Sequence, residues 1–159
     1  MSGDFGHFNF DAGFQDERGL AANRETDPGL SLMFEFEEQG HYLIGMPRQF
    51  GDIPVRVQIF QTDPGSPDPD CGDVVELSII AGPRPRLLGW GGQTPHPLPL
   101  SDGAAYRCRY LVRDGDVPAD APYADGMSAL PESYCMQFWE APMAPAQILR
   151  HTSLHHKPF

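Results

Sequence analysis

A chain of 159 residues, 40% of them hydrophobic, has room for one core and reads as a single domain over residues 1–159, with 1–30 and 153–159 expected to be mobile. No stretch nears the roughly 20 apolar residues of a membrane span, and residues 1–10 lack a basic head and an apolar run, so a cytoplasmic protein is expected. Cys71, Cys108 and Cys135 are an odd set without a CxxC or a histidine at ligand spacing, which argues against a disulfide framework and against zinc.

The 17 prolines and 17 glycines fall between short apolar runs, the pattern of turn-rich β structure. Phe8 and Phe10 flank Asn9 and suggest an N-terminal strand. In 32–37, Leu32, Phe34 and Phe36 alternate with Glu35 and Glu37, a half-buried strand; 41–46 follows after Gln39-Gly40, a hairpin arrangement. Ile53, Val55, Val57 and Ile59 mark a strand over 53–60, and Pro54 places its start at an edge or strand end. Residues 63–73 hold three prolines and two glycines among acids and predict an exposed loop.

Residues 74–81 are apolar on both faces, as in a central strand. Only a short strand fits in 82–100, where Leu87, Leu88 and Trp90 are the anchors. In 105–113, Tyr106, Cys108, Tyr110 and Val112 form one face, while Arg107, Arg109 and Arg113 predict a solvated opposite face able to pair with acids that follow. After an acidic, proline-bearing connection over 114–132, 133–140 returns as a strand. Residues 142–152 predict a short helix with Pro145 in its first turn and Ile148 and Leu149 as docking residues. No βαβ repeat is visible. The expected fold is all-β: an antiparallel two-sheet β-sandwich with a short C-terminal helix.

Catalytic chemistry finds little footing, since GxSxG, HExxH, P-loop and GxGxxG patterns are missing. His41 reads as a strand-end residue, His96 between two prolines as a loop residue, and His155 and His156 as part of a tail. Glu35, Glu37 and Glu38 can be read as paired glycosidase acids, but the even alternation of Glu35 and Glu37 is better explained as the wet face of a strand. Asp68, Asp70 and Asp73 have calcium-like alternation, but no closing Glu or EF-hand glycine follows. Neither a metal nor another cofactor is expected. Trp90, flanked by glycines, suits either core packing or stacking on a sugar or partner.

Charge is the strongest global signal. The net charge of −11 lies wholly in residues 1–80, with 15 acidic and 4 basic residues; residues 81–159 have 7 of each. Such a field repels nucleic acid and anionic membranes and steers a basic partner, or else serves solubility. The strand Tyr106-Arg-Cys-Arg-Tyr-Leu-Val-Arg113, an acidic connection and Tyr134-Cys-Met-Gln-Phe-Trp-Glu-Ala-Pro142 together resemble a layout in uncharacterised bacterial proteins and the competence-protein-J type of nuclease inhibitor. That resemblance implies an immunity or inhibitor protein that neutralises a basic toxin or nuclease. The expected contact residues are Asp68, Asp70, Asp73, Glu35, Glu37, Glu38 and Trp90. The alternatives are a small-ligand or carbohydrate-binding sandwich using Trp90, and a hydrolase without a recognisable motif.

Overall fold

The computed structural model describes residues 6–30, 33–48, 51–89, 95–118 and 120–154, except the side chains of residues 6 and 7. Leu32, Trp90, His155 and His156, singled out above, lie outside this set. Among the described residues the chain is mostly strand with one short α-helix. In order come β1 (Gly6–Asp11), a 3-10 turn (Phe14–Asp16), α1 (Glu17–Thr26), β2 (Phe34–Phe36), β3 (His41–Met46), β4 (Gly51–Asp52) and β5 (Val55–Phe60). Then follow β6 (Asp73–Ile80), β7 (Arg86–Leu88), β8 (His96–Pro97), β9 (Ala105–Arg113), β10 (Ala124–Asp125), β11 (Ser133–Glu140) and β12 (Gln147–His151).

The first five-stranded sheet has the order β2-β3-β1-β7-β8 and is antiparallel throughout. The second has the order β12-β6-β9-β11-β5. Its pairs are antiparallel except β5 with β11, and β4 with β10 forms a further parallel pair. The expectation of wholly antiparallel sheets is therefore corrected. Val55 and Val57 pack against the core while Ile59 is exposed, so alternation marks the inward face only at the start of β5, and it does so whichever way the neighbouring strand runs.

Period-two alternation places Phe8 and Phe10 of β1, Tyr42 and Ile44 of β3, Tyr110 and Val112 of β9 and Met136 and Phe138 of β11 in one buried cluster. Rings from the two sheets meet there: Phe10 lies 5.5 Å from Phe138, and Phe34 lies edge-on 5.8 Å from Tyr110. Such aromatic pairs add to the burial of their area. Gly13 and Gly82 sit back to back. A Cβ on Gly13 would stand 2.7 Å from the Gly82 Cα, so two side-chain-free residues let the backbones of residues 12 and 82 bond directly, Gly82 N to Ala12 O at 2.5 Å.

Two elements differ from expectation. Residues 147–151 are not helical: β12 pairs with β6 through a bulge at Ile148/Arg150, because an edge position was open beside β6 and the ladder outweighs local propensity. The helix is α1, within the stretch expected to be mobile. It packs on β6 through Gly19, Leu20 and Asn23, a face with only one large apolar residue. No helix among the described residues is long and apolar enough to cross a membrane.

Candidate functional site

β6 begins, and β9 and β12 end, at the same edge of the second sheet, so the turns beside Asp73, Arg113 and His151 are neighbours. They enclose a cleft of about 410 Å³ lined by Asp70, Gly72, Asp114, Gly115, Asp116, Thr152 and Ser153. Asp70, Asp114 and Asp116 are exposed on its walls. Arg113, half exposed, reaches Asp70 at 3.6 Å and Asp114 at 3.9 Å. At these distances and exposures the pairs are weak, and they leave the cleft negative.

The loop over residues 61–72 is held by its main chain. Arg109 Nη2 donates to Gly65 O at 2.9 Å, while Arg150 Nη1 donates to Asp68 O at 2.9 Å and Cys71 O at 2.5 Å. Asp63 Oδ1 accepts from Gly65 N at 2.8 Å and Asp68 Oδ1 from Asp70 N at 2.9 Å, short local turns that suit a chain broken by prolines. The arginines thus take carbonyl oxygens and leave Asp63, Asp68 and Asp70 on the surface. Asp73 is different. It is fully buried, and its Oδ1 accepts from Thr152 N and Ser153 N at 3.1 and 3.2 Å and faces His151 Nδ1 at 3.1 Å. It anchors the end of β12 under the cleft, whereas Asp68 and Asp70 form the exposed part of the loop.

The solvated arginine face expected on β9 is not found for Arg107 and Arg109, which are about 95% buried; only Arg113 is exposed. Their acid is not in the segment that follows but on the neighbouring strand. Glu76 Oε1 accepts from Arg107 Nε and Glu76 Oε2 from Arg109 Nε, both at 3.0 Å. Arg109 also lies over the Trp139 ring, 4.9 Å from its centroid, and reaches Gln137 Oε1 at 3.3 Å. Arg107 donates to Ser78 Oγ, Ala144 O and Pro145 O. The outer face of the second sheet thus carries a polar layer beside a small apolar cluster of Val74, Leu111 and Cys135 packed with Cys71 of the loop.

Glu35 and Glu37 are exposed, as their alternation predicted, and so is Glu38, but the three belong to β2 and its turn on the other sheet and do not line the cleft. Arg24 of α1 holds that segment by donating to Phe36 O and Glu37 O at 3.0 Å each. The structure therefore joins Asp68 and Asp70 to two acids that sequence reasoning passed over, Asp114 and Asp116. The signal that hid them was bookkeeping by halves: residues 81–159 sum to zero only when the buried Arg107 and Arg109 are counted as surface charge.

Other polar clusters lie elsewhere, among them a buried pair in which Arg48 Nε donates to Glu132 Oε1 at 2.5 Å. His41 Nε2 lies 3.4 Å, and Arg86 Nε 3.2 Å, from Asp11 Oδ2, a row across β3, β1 and β7 with the His41 and Arg86 side chains partly solvated. Asp16, fully buried, accepts from Ile80 N at 2.6 Å and from Tyr42 Oη, and Asn23 Nδ2 donates to Ser78 O at 2.7 Å and lies 3.4 Å from Tyr42 Oη. Burial pushes the Asp16 carboxyl up to about 7, against the lowering effect of those two hydrogen bonds. Among the described residues no group of three His, Cys, Asp or Glu side chains is placed to hold a metal ion. Comparison with family models, curated proteins and solved structures finds no match to this chain.

Proposed function

We propose that the protein is a binding module built on a β-sandwich, an immunity-type or inhibitor protein whose acidic cleft docks on a basic protein such as a toxin or nuclease. The observation that supports this reading is the way the 61–72 loop is fixed. Three guanidinium contacts go to its carbonyl oxygens, so the loop is held while its carboxylates face outward beside Asp114 and Asp116. A pre-ordered charged surface loses little entropy on docking, and carboxylates in fixed array can stand in for a phosphate backbone on a basic site.

The test is capture of partners by the tagged protein from its native host at low and moderate salt, followed by association kinetics. Replacing Asp68, Asp70, Asp114 and Asp116 together by Asn is expected to slow association several-fold at low salt and to flatten its salt dependence. A captured partner that associates at the same rate with this variant would overturn the reading.

A further inference from the structure

Arg107 and Arg109 stand two residues apart on one face of β9, so their guanidinium groups share the same side of the sheet. Two adjacent buried cations repel unless an anion lies between them. Glu76 is that anion, and each of its oxygens holds one Nε. Because a guanidinium is planar, fixing Nε fixes where the Nη atoms point. Those of Arg107 point at Ala144 O and Pro145 O, at 3.0 and 2.8 Å. Arg109 Nη2 points at Gly65 O, at 2.9 Å.

We propose that Glu76 couples the Gly65 end of the acidic loop to the 141–146 segment, so that the two are fixed or released together, while Arg150 holds the Asp68–Cys71 end. When Arg107 is lost or displaced, both Glu76 oxygens become available to Arg109. A bidentate pair then re-aims the Arg109 fork away from Gly65. The coupling thus runs through one carboxylate and two guanidinium groups, and no direct contact between the loops is needed. The inference deepens the acidic-loop reading and rests on it only for the consequence that partner association should respond.

The experiment measures backbone order parameters of Gly65 and Ser66 by nitrogen relaxation in the wild type and in Arg107→Lys, with the Arg150-held Asp70 and Cys71 as the internal reference. Arg107 does not bond to the loop. The expected result is a fall of the order parameters from about 0.85 to below about 0.6, with the β11 amides unchanged. Loop values equal to wild type, with a change confined to Ala144 and Ala146, would overturn the coupling. Ser78→Ala is the gentler second variant, because it removes one acceptor of Arg107 and the partner of Ala144 N without touching a buried charge. It should shift the loop values in the same direction by a smaller amount; no shift in a folded Ser78→Ala protein together with none in Arg107→Lys removes the proposal. Loosened loops with an unchanged partner association rate would support the coupling and count against the acidic-loop reading, so the two fail separately.

Discussion

Glu76 and Asp16 are both carboxylates withdrawn from water, and the fold treats them in opposite ways. Glu76 lies between two guanidinium groups on the outer face of the second sheet, and its charge is balanced where it stands. Asp16 lies between α1 and the two sheets, and its partners are a phenol and an amide, both neutral. Among the described residues the fields acting on it add no relief: Tyr42 of β3 and Cys108 of β9 are the titratable groups coupled to it, and both are held protonated, chiefly by burial. A buried charge is retained by pairing, and an unpaired one by taking up a proton. The second device ties the charge of Asp16 to pH near neutrality.

The contrast is broken most forcefully by removing the balancing anion. Glu76→Ala leaves two guanidinium groups buried together and is expected to cost about 3–5 kcal/mol, read from denaturant unfolding with an unchanged m-value. A loss below about 1 kcal/mol would mean that water replaces the carboxylate without penalty. Next comes the pH response of Asp16. Its carboxyl rises from 3.8 in the open chain to about 7 in the fold, so the folded state holds a proton that the unfolded state has released. Stability from this group is therefore complete below about pH 4, declines as pH rises, and is gone above about pH 7, a change of at most about 4 kcal/mol. Asp16→Asn keeps an acceptor for Ile80 N, sets a neutral amide against the Tyr42 hydroxyl and should lack this slope; equal slopes in both proteins would place the titration elsewhere.

Gly19→Ala sharpens the same site from the steric side. Its Cβ would stand 2.0 Å from Asp16 Oδ1 and 3.3 Å from the Ile79 Cα, so α1 must move off β6 at an expected cost of about 1–3 kcal/mol in thermal unfolding. The smallest effect belongs to the surface acids: Asp68→Asn with Asp70→Asn should leave stability within about 0.5 kcal/mol, because the arginines that hold the loop bind its carbonyl oxygens. A larger loss would show that these carboxylates hold the loop and are not free for a partner.

Much of the strand content was legible. Residues 41–46, 105–113 and 133–140 form strands with the expected bounds, 55–60 and 73–80 differ by one or two residues, and β1 contains the Phe8/Phe10 pair. Alternation reports one-sided burial, as in β3, and it missed the second buried face of β9. It does not report strand direction, hence the parallel β5, nor which edge is vacant, hence β12 in place of a helix. α1 escaped notice because its buried face holds Gly19 and Asn23, residues chosen for closeness to Asp16 and a hydrogen bond to Ser78 O and so invisible to a search for an apolar stripe. The acidic loop was legible from its prolines. That Asp73 turns inward and that Asp114 and Asp116 join Asp70 depends on strand register, which no local pattern carries.

The parallel pairing of β5 also sets an order of events. Gln58 bonds to Gln137, 79 positions further along the chain, and every strand between them in the second sheet must be laid down before β11 exists to receive β5. During synthesis at about 5–20 residues per second, Val55, Val57 and Ile59 therefore wait several seconds as an unpaired apolar edge. Arg56 and Pro54 guard that edge, a charge and a missing amide donor placed where an early, wrong strand would otherwise add itself.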